Sequence, residues 1–262
     1  MLVSLLAVTT SAASWISVYI DGEKFGGYVD VKDNTTFVGI RKFSTSMYSN
    51  ANVTYNSKTK TLTVKTDKLH LTAKDGDYYV IANGRYLYTG SKIYMKNGIM
   101  YAPVLTMAKA FGAAASWRDS NSSFNVRRGT GGIISGDYFY DSDEVYWLAK
   151  IISAEAQGEV LYGQIAVGNV VLNRVRSKEF PNTIYGVIFD KKYGVQFTPT
   201  ANGMIYKDAT PLSIIAAKIC FEGYTISDKI LYFVDPVLAP NSWISKNGIL
   251  FAKIGSHNFY YI

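Results

Sequence analysis

The sequence predicts an α+β chain: a small α+β module present twice, then a mainly helical domain with a small β element. Three observations carry this. The first half repeats itself at an offset of about 62 to 64 residues. Its apolar residues alternate with period two, whereas those after Asp141 recur at helical spacing. A glycine-dense stretch, Arg127-Arg128-Gly129-Thr130-Gly131-Gly132 and on to Gly136, separates the two regimes. At 262 residues the chain suits two modest domains.

Residues 1–14, Met-Leu-Val-Ser-Leu-Leu-Ala-Val-Thr-Thr-Ser-Ala-Ala-Ser, read as the apolar core of a secretory signal with a small-residue cleavage site after Ala13. A basic n-region is missing, and an apolar first strand is the alternative. The run is too short to span a bilayer, and no later segment is long enough. The repeat then occupies 15–128. Tyr19-Ile20-Asp21-Gly22-Glu23 aligns with Ile81-Ala82-Asn83-Gly84-Arg85, and Phe37-Val38-Gly39-Ile40 with Tyr101-Ala102-Pro103-Val104. Each copy predicts a strand, a turn at Gly, a strand running into a short helix (40–47; 104–111) and a closing hairpin. In copy one, Val53 and Tyr55 alternate with polar residues, Asn56-Ser57-Lys58 turn, and Leu62 and Val64 alternate again. Copy two repeats this with Trp117, a polar turn, Phe124 and Val126.

Residues 129–137 read as a linker, its glycines predicting a flexible joint. The second domain, 138–262, opens with Asp141 as helix N-cap and Glu144 as its capping-box partner. Gly158 is expected to end that helix. Residues 164–176 are apolar almost all round and predict a central buried helix, with Asn169 and Asn173 as satisfied core amides. Thr210-Pro211 opens a further helix running through Glu222, with Gly223 after its end.

Composition narrows the function. The net charge of +7 is uneven: residues 1–135 hold 16 Lys and Arg against 8 Asp and Glu, and residues 136–262 hold 11 against 12. A basic first half suggests an anionic partner. No Arg/Lys-rich run or nucleic-acid motif accompanies it, so nucleic acid is not expected. The single Cys220 excludes an intrachain disulfide and, in an apolar helical run, reads as a buried inert thiol. His70 and His257 are the only imidazoles, so no metal site and no cofactor are expected.

The chemistry concentrates at Glu155. Val145, Leu148, Ile152 and Glu155 share one helix face, which places a carboxyl on an apolar surface. Desolvation there raises its pKa and keeps it protonated near neutrality, as a general acid for glycosidic cleavage requires. The alternative is a Glu that merely pairs with a Lys or Arg. A carboxylate near a helix C-terminus opposes the dipole, which weakens that alternative.

The blocks Ala154-Glu155-Ala156-Gln157-Gly158-Glu159, the 164–175 helix, Phe180-Pro181-Asn182-Thr183-Ile184, Gln196-Phe197, Tyr232-Phe233-Val234-Asp235-Pro236 and Ile254-Gly255-Ser256-His257-Asn258-Phe259-Tyr260 occur in one order. Together they resemble the catalytic domain of spore-cortex lytic, SleB-type cell-wall hydrolases over about residues 143–261. The pattern apolar-Pro-Val, helix, Phe-Gly-Ala, Ser-Trp, polar turn, strand resembles the copper amine oxidase N-terminal-like domain. Copy one departs from it with Gly39 for Pro and Tyr55 for Trp, and His70 alone cannot make a copper site.

The first resemblance implies a lysozyme-like fold and cleavage of peptidoglycan glycan strands between MurNAc and GlcNAc. The enzyme would be a lytic transglycosylase with one glutamate, Glu155, leaving 1,6-anhydro-MurNAc ends. It also implies a secreted enzyme of the cell wall or spore envelope, with spore cortex broken down at germination as one substrate. A hydrolytic muramidase or glucosaminidase with the same acid, or a non-catalytic wall-binding protein, remain alternatives. Gln196, Phe197, Thr198, Tyr232 and Trp243 are candidate sugar-binding residues. Glu159, Asp235 and His257 are secondary candidates, and Glu159, Asp208 and Asp235 are the available second carboxylates. Asp235 stands where Asn is more usual in the family. The second resemblance implies an accessory module, for which anionic wall polymer is the partner that suits the basic half.

Overall fold

The computed structural model describes residues 16–192 and 194–262. The expected signal at 1–14 lies outside them. In chain order the elements are β1 (Ser17–Ile20), β2 (Glu23–Lys24), β3 (Val29–Lys32), β4 (Thr35–Gly39), α1 (Ile40–Met47), β5 (Asn52–Asn56), β6 (Thr61–Lys65), β7 (His70–Lys74), β8 (Tyr79–Ala82), β9 (Arg85–Tyr88), β10 (Tyr94–Lys96), β11 (Ile99–Pro103), α2 (Val104–Ala110), β12 (Ala114–Arg118) and β13 (Ser123–Arg127). There follow α3 (Gly136–Phe139), α4 (Ser142–Ala156), α5 (Leu161–Arg176), α6 (Ile184–Ile188), α7 (Thr198–Asn202), α8 (Pro211–Phe221), β14 (Tyr232–Val234), α9 (Trp243–Asn247), β15 (Ile249–Ile254) and β16 (His257–Tyr261). They form two compact units. One takes the described residues up to Asn83 with Thr89–Ile133, and the other takes Gly84–Tyr88 with Ile134–Ile262. Among the described residues no helix is long and apolar enough to cross a membrane.

In the first unit both predicted helices form and both predicted hairpins close. Val53 faces Val64 and Tyr55 faces Leu62 across β5 and β6; Trp117 faces Phe124 across β12 and β13. The two copies meet at β4 and β11, antiparallel, with Val38 opposite Ala102 and Phe37 opposite Pro103. Segments equivalent in sequence therefore pair about a local pseudo-dyad. Both copies use one turn chemistry, an Asx-Gly pair with positive φ at both residues: Asp21-Gly22 and Asn83-Gly84. Phe43 lies at the centre of the core, edge-on to Phe25 at 5.9 Å and to Phe111 at 6.1 Å.

The glycines at 129–132 were expected to loosen the chain, and they do the opposite. Thr130 N–H and Gly131 N–H bond the carbonyls of Gly112 and Phe111. A Cβ on Gly129 would collide with the Gly112 carbonyl, and one on Gly132 with the Lys68 carbonyl. Glycine is needed here for close backbone approach, a use that composition does not separate from flexibility.

In the second unit α4, α5 and α8 pack on one another. Asp141 caps α4 by accepting from the N–H groups of Asp143 (2.9 Å) and Glu144 (3.0 Å). The helix stops at Ala156, two residues before Gly158. α5 starts three residues earlier than predicted and is buried along most of its length. Gly168 lets it approach its neighbours, since a Cβ there would press on Cys220 Sγ and Ile152. Cys220 is fully enclosed, and burial pushes its thiol up to about 12.

α5 also carries a polar ridge. Asn169 donates to Tyr224 O (3.0 Å) and accepts from Ile226 N (2.8 Å). Asn173 donates to Ser227 O and Ile230 O (both 2.9 Å), and Arg174 Nε donates to Leu231 O (2.7 Å). The irregular segment 224–231 is thus held to the helix by its own backbone and delivers the chain into β14. β14 and β15 both pair antiparallel with β16. The segment Gly84–Tyr88 joins this unit through Arg85. Its Nε and Nη2 grip the Glu222 carboxylate at 2.7 and 2.8 Å, and Tyr140 donates to the same group at 2.9 Å.

Replacing Asn173 by near-isosteric Leu strands two buried carbonyls. The expected cost is about 2–4 kcal/mol of stability, read as a lowered denaturant midpoint of the second unit's transition in the whole protein. An unchanged midpoint would show that the ridge does not hold the 224–231 segment.

Candidate active site

A groove in the second unit is walled by the end of α4, the α7 region, β14 with the loop after it, and the β15–β16 turn. Glu155 lines it together with Gln196, Phe197, Thr198, Asp235 and His257. These six residues come from four separate stretches of the sequence, and the fold brings them to one surface. A neighbouring hollow is lined by Phe180, Tyr232 and Trp243, and Gln196 borders both.

Glu155 occupies the last turn of α4 and is half-buried. Among the described residues its carboxyl has no hydrogen-bond or ion-pair partner. Burial alone therefore acts on it and raises its pKa to about 7. Among the described residues no cation pairs with it, so near neutrality a large share of this carboxyl holds its proton.

Glu159 has a different job in the structure. Its Oε1 accepts from Ser256 N (2.9 Å) and Ser256 Oγ (2.6 Å), and lies 3.8 Å from His257 Nδ1. The Ser256 hydrogen bonds hold it below its usual carboxylate range. Glu159 pins the turn between β15 and β16, and Gly255 at φ +60° leaves the room that the carboxylate fills. His257, next to that turn, is buried with its ring edge-on to Phe233 at 5.2 Å. Burial lowers its pKa against the opposing pull of Glu159 and favours neutral imidazole.

Asp235 is tied locally, accepting from Val237 N (2.8 Å) and Leu238 N (3.3 Å). An Asn oxygen could accept the same two bonds, so the exchange from the family's usual Asn leaves this turn intact. Asp208 is placed elsewhere: its carboxylate is fully exposed, meets Lys150 Nζ at 3.2 Å and lines a separate hollow. Phe197 is buried and supports the groove from beneath, whereas Trp243 is 60 % exposed and 6.2 Å from the Tyr232 ring. Gln196 is half-buried, with Nε2 donating to Gly194 O at 3.2 Å; Thr198 is exposed at the start of α7.

Two residues of the groove were not singled out in the sequence. Ser256 is visible there only as part of the final block. Arg174 sits in the run Leu172-Asn173-Arg174-Val175, where a lone basic residue near a helix end reads as an ordinary C-terminal charge. Among the described residues no group of three or more His, Cys, Asp or Glu could hold a metal ion.

Residues 158–260 match the family model described as Cell Wall Hydrolase, and residues 20–126 match that of the copper amine oxidase N-terminal domain. The spore cortex-lytic enzyme of Bacillus cereus is 35% identical over 120 residues, covering 46% of this chain and 45% of that protein. The spore cortex-lytic enzyme of Bacillus subtilis is 33% identical over 120 residues, covering 46% and 38%. The chain thus spans less than half the length of these relatives. A solved structure titled as the catalytic domain of the germination-specific lytic transglycosylase SleB from Bacillus anthracis is 32% identical. It covers 49% of this chain and 99% of that one, with a TM-score of 0.42. The chain carries a cell wall hydrolase domain, homologous to the spore cortex-lytic enzymes, behind a copper amine oxidase N-terminal-like domain.

Proposed function

We propose that residues 138–262 form a catalytic domain that cleaves peptidoglycan glycan strands between MurNAc and GlcNAc, with Glu155 as the single acid/base. The observation that carries this is an unpartnered, half-buried carboxyl with a pKa of about 7 on the wall of a groove. Protonated Glu155 gives its proton to the bridging oxygen as the bond to C1 of MurNAc breaks. The resulting carboxylate takes the proton of the MurNAc C6 hydroxyl, whose oxygen closes on C1. The products are a GlcNAc hydroxyl and a 1,6-anhydro-MurNAc end, with no water consumed and Glu155 reprotonated.

Hydrolysis is the second reading. Asp235 lines the same groove and supplies the second carboxylate that an activated water needs. Gln196, Thr198, Tyr232 and Trp243 are assigned to sugar contact, Phe197 to supporting the groove wall, and Glu159 and His257 to positioning the β15–β16 turn. Residues 15–128 serve as an accessory module whose basic surface meets anionic wall polymer, with 129–137 as the junction. The protein acts outside the cell, at the wall or spore envelope. The names of the relatives support cortex peptidoglycan as the substrate to try first.

The test is digestion of purified cortex and vegetative peptidoglycan by the whole protein, wild type beside Glu155→Gln, with products read by mass spectrometry. Anhydro-muropeptides are expected, one water lighter than reducing ends, reduced about 10²- to 10⁴-fold in the variant. Reducing ends in their place would make the enzyme a hydrolase. Release from neither wall would overturn the enzymatic reading and leave wall binding.

The working form of Glu155 is the protonated one. The acid is lost as pH rises through about 7, so kcat/KM is expected to fall about tenfold per pH unit on the alkaline side. A profile flat to pH 9 would remove Glu155 from the proton transfer.

The same shift makes a prediction about stability. Below the unfolded pKa, Glu155 is protonated in both states and costs nothing. As pH rises towards about 7 the unfolded chain ionises first, so native stability falls, and above that value the full penalty is present. Glu155→Gln is expected to stabilise the protein by roughly 2–3 kcal/mol at pH 8–9 and by nothing at pH 4. Denaturant titrations at the two pH values decide it, and an equal effect at both would contradict the burial of an uncompensated carboxyl.

A further inference from the structure

The groove holds a buried donor that the reaction above does not use. Arg174 is 4 % exposed, near the C-terminus of α5. Nε is spent on the Leu231 carbonyl at 2.7 Å. The guanidinium carbon lies 4.9 Å from the Phe180 ring centroid, 5.1 Å from Phe197 and 5.2 Å from Tyr232. Nη1 is fully enclosed and has no acceptor. Among the described residues no carboxylate forms a salt bridge with this cation. The only other buried side-chain nitrogen or oxygen without a partner among them is the neutral Ser44 hydroxyl of the first unit. A buried charged donor left unpaired is costly and calls for a reason.

Its position supplies one. Arg174 and Phe197 line the hollow that contains Glu155, while Phe180 and Tyr232 line the neighbouring hollow. The guanidinium therefore lies between residues of the two hollows, where a strand bound past Glu155 towards Trp243 would cross. The three rings hold the cation without neutralising it. Among the described residues no ion pair joins Arg174 to Glu155, and burial is what raises the Glu155 carboxyl.

We propose that Arg174 is a substrate-binding residue whose guanidinium, where it lines the groove, takes a carbonyl or carboxylate oxygen of the bound glycan strand as it crosses between the hollows. The inference rests on the reading of the groove as a glycan site and assigns the chemistry recognised there. Two groups of peptidoglycan carry such an oxygen: the acetamide at C2 of each sugar, and the peptide stem on the lactyl ether. A hydroxyl is a weaker match for a charged donor than either of these.

The experiment is a binding cycle on the whole protein in a Glu155→Gln background, so that no substrate is consumed. Co-sedimentation measures affinity for intact peptidoglycan, for N-deacetylated peptidoglycan and for glycan stripped of stems by an amidase. Adding Arg174→Lys is expected to weaken binding to intact wall about 10- to 100-fold, the span for one hydrogen bond to a charged donor. One of the two wall modifications should weaken the Glu155→Gln protein by the same factor and the double variant no further. Non-additivity with deacetylation identifies the acetamide, and non-additivity with stripping identifies the stem. If both modifications cost both variants equally, Arg174 is structural and the proposal is overturned. Should Arg174→Lys fail to fold by circular dichroism, Arg174→Gln replaces it in the same cycle, since it keeps a donor for Leu231. If Glu155→Gln binds no form of the wall, the glycan reading of the groove fails first. If wild type cleaves and the cycle is additive, only the assignment of Arg174 fails.

Discussion

The polar ridge of α5 is the constraint on which the site depends. A helix buried on nearly all sides cannot carry Asn169, Asn173 and Arg174 unless each finds partners, because an unpaired buried polar group costs about 1–3 kcal/mol. Those partners are backbone groups of residues 224–231. Through them an irregular segment becomes as fixed as the helix. β14 begins immediately after Leu231, so the ridge sets where Tyr232, Phe233 and Asp235 stand. β16 pairs with β14 and carries His257. One face of one helix thus positions half of the groove, and α4, packed on the same helix, brings Glu155 to the other half.

Glu155 is defined by the interactions it lacks. Three other carboxylates of the unit are engaged by side chains or backbone: Glu222 by Arg85 and Tyr140, Glu159 by Ser256, and Asp235 by the amides of its own turn. The Ser256 hydrogen bonds hold Glu159 below its usual range. Among the described residues the end of α4 offers Glu155 burial and no donor, so its pKa rises. The Lys nearest to it on α4, Lys150, is drawn away to the carbonyls of Tyr206 and Lys207. Arg174 is boxed by three rings. Among the described residues no ion pair offsets the cost of burying Glu155, and that cost is the property that proton donation requires.

Much of this was legible in the sequence. The spacing Val145, Leu148, Ile152, Glu155 gave the acid its face, Asp141 and Thr210 marked helix starts, and period-two alternation gave both hairpins of the repeat. These are local signals, read within a dozen residues. The parts that were not legible depend on contacts far apart in the chain. The aromatic box draws on Phe180, Phe197 and Tyr232 around Arg174, and nothing near Arg174 announces three rings. Arg85 meets Glu222 across 137 positions. The glycines of 129–132 failed for another reason: local composition reports permitted backbone freedom, whereas their use is fixed by which carbonyl lies opposite. Asp208 was a candidate second carboxylate by residue type alone, and geometry places it in a different hollow beside Lys150.

The choice between transglycosylation and hydrolysis turns on what a water molecule meets in the groove. An inverting hydrolase needs a carboxylate free to take a proton from water on the far side of the sugar. Asp235 is the carboxylate placed along the same groove, yet one of its oxygens already accepts two amide hydrogen bonds of the turn it caps. Glu155, with no bond to lose, is basic once it has given up its proton, because burial drives it to recover one. In the proposed reaction that base is the residue that has just given up the proton, on the side from which the leaving oxygen departs. A nucleophile that reaches that side must come from the sugar itself or enter after departure of the leaving group. The internal C6 hydroxyl is already there, held at an effective concentration that free water has to displace. Asp235 is thus tied to its turn, and the single-glutamate mechanism proposed above asks nothing of it.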